Sequence, residues 1–246
     1  MAGSKENTPE PVDSPLLVGL PDGTPRVKYT NIDDIRFLIE RRATLCPKIT
    51  ANLQDKILII ETLVTQAHEI ADGGLEMCIK QEIMKIGLKF EILGTGGARA
   101  TSRTFVKEPD SSFTLPHHDW PILVIEAGVS ESDTKLQMDA RGWLESARSE
   151  TKVAITINID RFSSQIDFKK WEHSISTQNR TTRSSHQPAE VTETIHAKYS
   201  NGIDITGDMT IPFEKIAGRK PRNANEHDIV ITKAPFESVS RMVWLV

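Results

Sequence analysis

Apolar positions along the chain repeat with two different periods. Leu53, Ile57, Ile60, Val64, Ala67 and Ala71 recur at helical spacing and predict a long helix that ends at Gly73-Gly74. A further helix is expected over 75–86, with Ile79, Ile83 and Ile86 on one face and Gly87 closing it. An earlier one is expected over 31–44, where Asp33 and Asp34 favour the positive end of the dipole and Pro47 follows. From Leu88 the period shortens, and strands are expected over 89–93 and 101–107, joined as a hairpin through Gly94-Thr95-Gly96-Gly97. Ile122-Leu123-Val124-Ile125 is a continuous apolar run of the kind a strand buried on both faces needs. Ser130 or Ser132 then caps a helix whose face is Leu136, Ala140, Trp143, Leu144 and Ala147. Val153, Ile155, Ile157 and Ile159 alternate as in a strand, two more strands are expected over 163–172 and 191–200, and a strand and helix close the chain over 229–231 and 236–244.

The order from about residue 53 is therefore helix, three strands, helix, strand, then added strands, for which helices on a mixed sheet are the simplest architecture. Residues 1–30, with five prolines among small and acidic residues, read as a flexible tail, leaving 31–246 as one domain. The chain has 246 residues and a formal charge of −4; the stretch to Thr24 carries Glu6, Glu10, Asp13 and Asp22 against Lys5 alone, so the rest of the chain is nearly neutral. A uniformly basic, nucleic-acid-coating surface is excluded; a local basic groove is not. Cys46 and Cys78 form neither a CxxC nor a pairing with histidine at ligand spacing, which excludes a disulfide framework and a structural zinc site. With no apolar segment near the ~20 residues that span a bilayer, an intracellular protein, cytoplasmic or nuclear, is expected.

The chemistry concentrates in Lys107-Glu108-Pro109-Asp110-Ser111-Ser112-Phe113 and Pro121-Ile122-Leu123-Val124-Ile125-Glu126-Ala127-Gly128. An acid follows each of two predicted strands. If the strands are neighbours, Asp110 and Glu126 can share a divalent cation, and Mg²⁺ suits a site with few carboxylates and room for water and phosphate. The structural alternative is a Pro-Asp turn and a solvent-facing glutamate.

The segment 108–159 resembles the PD-(D/E)XK nuclease superfamily, particularly its Uma-type restriction-endonuclease-like members, with Pro109-Asp110 as the PD element and Glu126 as the second acid. It also resembles an uncharacterised set of fungal proteins carrying Pro109-Asp110-Ser111-Ser112-Phe113, Val124-Ile125-Glu126, Ser130-Glu131-Ser132 and Trp143-Leu144. The resemblance implies a restriction-endonuclease-like αβββαβ core, about 53–160, within an α/β (α+β) fold. A mixed central sheet would be flanked by helices, with extra N-terminal helices and C-terminal strand additions over 161–246. It further implies a Mg²⁺- or Mn²⁺-dependent phosphodiesterase acting on DNA, with Asp110 and Glu126 as metal ligands. The superfamily lysine two residues beyond the second acid is Gly128 here; Lys135, on the following helix, is the candidate replacement. The spacing of Glu131, Lys135 and Asp139 equally suits helix-surface ion pairs. A helix carboxylate often completes such a metal shell, and Glu82 is a candidate.

Gly94-Thr95-Gly96-Gly97 lacks the Gly-Lys-Ser/Thr that would make it a phosphate loop, and His117-His118-Asp119 reads as loop. Lys169, Lys170, Arg180 and Arg183, and separately Arg219, Lys220 and Arg222, are either solvated loops or a track for a nucleic-acid backbone. The missing lysine leaves a rival function, a catalytically inactive nuclease fold acting as a binding or interaction module.

Overall fold

Runs of apolar and β-branched residues set the centre of the molecule, a seven-stranded sheet. The computed structural model describes residues 17–18, 48–52, 57–61, 65–101, 105–129, 133–174 and 188–246. The helix expected over 31–44, and the expected tail apart from 17–18, lie outside the described residues. In chain order the elements are β1 (Lys48–Asn52), β2 (Ile57–Glu61), α1 (Gln66–Lys85), β3 (Leu93–Gly94), β4 (Ala100–Thr101), β5 (Phe105–Lys107), β6 (Ser111–Thr114) and β7 (Leu123–Val129). There follow α2 (Asp133–Glu145), β8 (Val153–Asp160), β9 (Gln165–His173), β10 (Ala189–Tyr199), β11 (Ile203–Ile205), β12 (Met209–Ile211), α3 (Phe213–Ala217), β13 (Ile229–Ile231) and α4 (Lys233–Val243).

The large sheet has the order β11-β10-β9-β8-β7-β6-β3. Only β7 and β8 pair in parallel, joined through α2, which makes the sheet mixed. The run α1, β3, β6, β7, α2, β8 has an αβββαβ order, with β6 standing where the strand 101–107 was expected, and the fold is a mixed sheet flanked by helices. A second sheet, β2-β1-β5-β4, carries the segment leading into Pro109-Asp110.

Strand alternation sorts the core into two layers. Leu123, Ile125 and Ala127 of β7 join the larger cluster with Ala71, Leu75 and Ile79 of α1 and Phe236 and Val239 of α4. Val124 joins the smaller one with Ala140, Trp143 and Leu144 of α2, and Trp171 of β9. By the same alternation Glu126 belongs to the α2 face.

The helix expected over 53–71 is corrected. Residues 57–61 form β2, paired antiparallel with β1, and the helix runs instead from Gln66 to Lys85, straight through Gly73-Gly74. Ile57-Leu58-Ile59-Ile60 is a continuous apolar, largely β-branched run, which suits a strand better than one face of a helix. The expected hairpin over 89–93 and 101–107 is also corrected. Residues 89–91 form a turn, β3 pairs with β6, and β5 lies in the other sheet. No helix among the described residues is long and apolar enough to cross a membrane.

The glycine pair serves the packing of α1 on α4. A Cβ on Gly74 would stand 2.9 Å from Cγ2 of Val239, whereas one on Gly73 meets nothing within 4 Å. Replacing glycine by alanine within a helix gains roughly 0.5–1 kcal/mol where there is room, and overpacking costs about 1–3 kcal/mol. Gly73→Ala is therefore expected to raise the urea midpoint and Gly74→Ala to lower it, with Val239→Ala recovering part of the Gly74→Ala loss. Equal effects of the two alanines would refute this packing.

Candidate functional site

Asp110 sits in the bend that leads into β6. Ser111 of β6 pairs with Ile125 of β7, so Asp110 and Glu126 each lie one residue beyond that rung, at neighbouring positions on adjoining strands. The glycine loop braces this corner. Ser112 Oγ donates to the Gly96 carbonyl at 2.7 Å, the Thr95 amide donates to the Ser112 carbonyl at 2.8 Å, and a Cβ on Gly97 would stand 3.2 Å from the Pro109 carbonyl oxygen. That loop supports the Pro-Asp turn.

The Asp110 carboxylate is held from the α1 side. Its Oδ2 accepts the Ala127 amide at 2.7 Å and lies 3.2 Å from Nε2 of His68. His68 stands in the first turn of α1, where Thr65 caps its amide. One turn further on, Asp72 is buried and accepts from Ser111 Oγ at 2.7 Å, while its Oδ1 has no hydrogen-bond partner among the described residues. Burial, reinforced by the charge of Asp110, pushes the Asp72 carboxyl up to about 7, against the opposing effects of the Ser111 hydrogen bond and His68. The helix carboxylate that faces Asp110 is thus Asp72. Glu82 instead pairs with Lys85 at 2.6 Å.

Glu126 is engaged on the α2 side and is 1 % exposed. The Trp143 indole N–H donates to its Oε1, and the Lys107 ammonium, also 1 % exposed, stands 3.0 Å from the same oxygen. Lys107 also lies 2.5 Å from Oδ1 of Asp139 and 5.4 Å from the centre of the Trp143 ring. Oδ2 of Asp139 takes Lys135 at 2.6 Å. The structure therefore links Glu126 to Lys135 through Lys107 and Asp139, while Asp110 is held by groups of another element. The i, i+4 pair of Lys135 with Asp139 is present but buried, and Glu131 lies outside the described residues.

Lys107, Asp72 and His68 are the three residues that sequence reasoning missed. A lysine beside a Pro-Asp turn reads as solvated, and Asp72 falls where a helix end was expected. The only signal for Lys107 was its place directly before Glu108-Pro109-Asp110.

Two carboxylates are the right donor type for Mg²⁺, but the side chains as they stand do not fit the ion. Oε1 of Glu126 already receives an ammonium and an indole N–H, and among the described residues no three His, Cys, Asp or Glu side chains are grouped to hold a metal. Four of the basic residues are also paired. Lys169 pairs with Asp133, buried Lys170 with Glu193, Arg219 with Glu91 and Glu226, and Arg222 with Glu91. Arg180 and Arg183 lie outside the described residues. His118 pairs with Glu150 in the loop beyond β6, on the other side of that strand from Asp110.

No family model matches the sequence, and no curated protein matches it. Among solved structures, the chain is similar to a DUF820 protein from Anabaena variabilis, described as a nuclease candidate, at 14% identity and a TM-score of 0.38 over 58% of this chain and 75% of that one.

The Asp72 carboxyl gives a pH signature with a definite sign. Its folded value of about 7 lies above its ordinary 3.8, so the folded state binds more protons between those pH values. Its contribution to stability is full below about pH 4 and is lost as pH rises through 7, at up to ~1.4 kcal/mol per pH unit. Asp72→Asn is expected to flatten the fall in urea-unfolding free energy between pH 4 and 7. An unchanged slope would contradict the assignment.

Proposed function

We propose that the chain hydrolyses phosphodiester bonds in DNA at a centre formed by Asp110, Glu126 and Lys135, with Mg²⁺ or Mn²⁺ as the ion the two carboxylates take. The observation behind this reading is that Asp110, directly before β6, and Glu126 of β7 each lie one residue beyond the Ser111–Ile125 pair, although their carboxylates as they stand turn to the α1 side and the α2 side. Resemblance of the Pro109-Asp110 and Val124-Ile125-Glu126 segments to the PD-(D/E)XK pattern supports it and is the ground for choosing DNA.

The ion is implied by the resemblance, which would assign it the offsetting of phosphate charge and the acidifying of water; the two carboxylates as they stand do not receive it together. The remaining roles belong to the chain. The Ala127 amide and His68 fix the orientation of Asp110, and Trp143 fixes that of Glu126. Lys135, oriented by Asp139, supplies positive charge for the developing negative charge on the phosphate oxygens.

A second reading rests on a different observation. Glu126 is closed off by Lys107 and Trp143, which favours a nuclease fold kept as a binding or interaction module without catalysis.

Purified full-length chain incubated with plasmid and single-stranded DNA and either Mg²⁺ or Mn²⁺ decides between them. Asp110→Ala is expected to reduce cleavage by at least ~100-fold, the scale on which lost transition-state charge stabilisation is felt. Lys135→Ala should lower the rate with little change in DNA affinity. Equal cleavage by wild type and Asp110→Ala, or none by either, would sink the hydrolase reading, and the second outcome would favour the binding module.

A further inference from the structure

We infer that Arg161, Phe162, Tyr199 and Trp244 form a stacking platform for the bases of single-stranded DNA, at the same end and on the same face of the large sheet as Asp110. The inference rests on the reading of the chain as a DNA-hydrolysing protein and adds to it the form of the strand that is gripped.

A braced turn builds the platform. Between β8 and β9, Oδ1 of Asp160 accepts the amides of Phe162 at 2.8 Å and Ser163 at 3.3 Å, and its Oδ2 accepts the Ser163 hydroxyl at 2.7 Å. Ser164 closes the turn in the left-handed region, with φ of 55°, and its carbonyl takes the Tyr199 amide at 2.9 Å. A phenylalanine on a loose loop can fold back onto apolar surface; this turn instead holds Phe162 out, 95 % exposed. Beside it, at the end of β10, Tyr199 is exposed, and its ring centre lies 6.0 Å from that of Trp244 with the planes tilted by 34°.

Arg161 supplies the charge. Its guanidinium lies 5.9 Å from the centre of the Trp244 ring and donates to the main-chain oxygen of Val246 at 3.3 Å. Among the described residues it meets no Asp or Glu side chain, and the neighbouring Asp160 is committed to the turn. Exposed ring faces beside an unmatched guanidinium complement a single strand, which offers the faces of its bases and the charge of its phosphates; a duplex keeps those faces stacked inside. An apolar partner would cover the rings and leave the guanidinium unmatched.

The position suits the substrate. Asp110 accepts the Ala127 amide, Ala127 pairs with Ile157, and Asp160 follows three residues later, so the platform stands roughly 10 Å beyond Asp110 along the strands. Trp244 follows α4, which packs on α1 where Val239 meets Gly74, and α1 holds His68 against Asp110. A strand stacked on the platform would run onto the Asp110 corner without crossing the sheet.

Anisotropy of a fluorescein-labelled oligothymidine added to the full chain without divalent ions tests this apart from cleavage. Phe162→Ala, Tyr199→Ala and Arg161→Ala are each expected to weaken binding at least ~5-fold, the scale of one lost stacking contact. Phe90→Ala, which removes another exposed ring far from the platform, should leave binding unchanged. The same strand paired with its complement should bind at least ~10-fold more weakly. Trp120, Trp143 and Trp171 are buried, so quenching of tryptophan emission by unlabelled oligonucleotide should disappear in Trp244→Phe. Phe162 is exposed enough for its alanine variant to fold, which circular dichroism checks. Binding unchanged in Phe162→Ala and Tyr199→Ala, duplex held as tightly as single strand, or no binding by wild type would overturn the platform. So would sedimentation showing that the two alanines abolish self-association and leave DNA affinity intact. A wild type that binds through these residues and never cleaves DNA keeps the platform and sinks hydrolysis; cleavage and affinity both unchanged in Phe162→Ala/Tyr199→Ala do the reverse.

Discussion

A carboxylate in the middle of a strand buried on both faces cannot stand alone, and the pairing of Glu126 with Lys107 is the constraint from which much of the architecture follows. β7 is covered by α1 on one side and α2 on the other, so Glu126 has no route to solvent that would offset its desolvation. Its countercharge comes from another sheet, its indole donor from α2, and the second carboxylate on that countercharge from α2 as well. One ionic cluster thereby fixes how the small sheet, the large sheet and α2 meet. Such a cluster adds little net stability over an apolar replacement, while the loss of one member costs about 3–5 kcal/mol. It is therefore better understood as a device that specifies an arrangement than as a source of stability.

The two acids of the candidate centre share an end of the sheet but have different supports. Asp110 is fastened by the backbone of β7 and by His68 of α1, and beside it Asp72 is kept in a partly protonated state near neutrality by its burial. Glu126 belongs to α2 and to Lys107. A centre assembled from both must draw on groups positioned by three elements and two sheets. Its state accordingly depends on tertiary alignment more than on the motif itself.

Legibility in the sequence followed the range of the interactions. The strands at 123–129, 153–160, 165–173, 189–199 and 229–231, and the helices at 133–145 and 233–243, declared themselves through local alternation or helical spacing close to where they form. The region from 57 to 71 did not, because Ile57, Ile60, Val64 and Ala67 satisfy a helical spacing while Ile57-Leu58-Ile59-Ile60 satisfies a strand, and pairing with β1 decides the matter. Gly73-Gly74 read as a helix end because glycine usually marks one. Here the reason for glycine at 74 is the approach of Val239, more than 160 residues away in the chain.

By itself the sequence determined the chemistry available: a Pro-Asp turn, a glutamate inside an apolar run, and a lysine on the following helix. Periodicity and residue type are local properties; they sufficed for the order of helices and strands and for Asp110 and Glu126 as acids that follow strands, while Lys135 entered only through the resemblance to the nuclease superfamily. Only the tertiary structure decided what each charge faces. It placed Lys107 on Glu126, put Asp139 between two lysines, turned Asp72 toward Ser111 and Asp110, and committed the surface-looking Lys169, Lys170 and Arg219 to internal pairs. The physical reason is that the energy of a charge depends on its burial and on its nearest opposite charge, and both are set by segments distant in the chain.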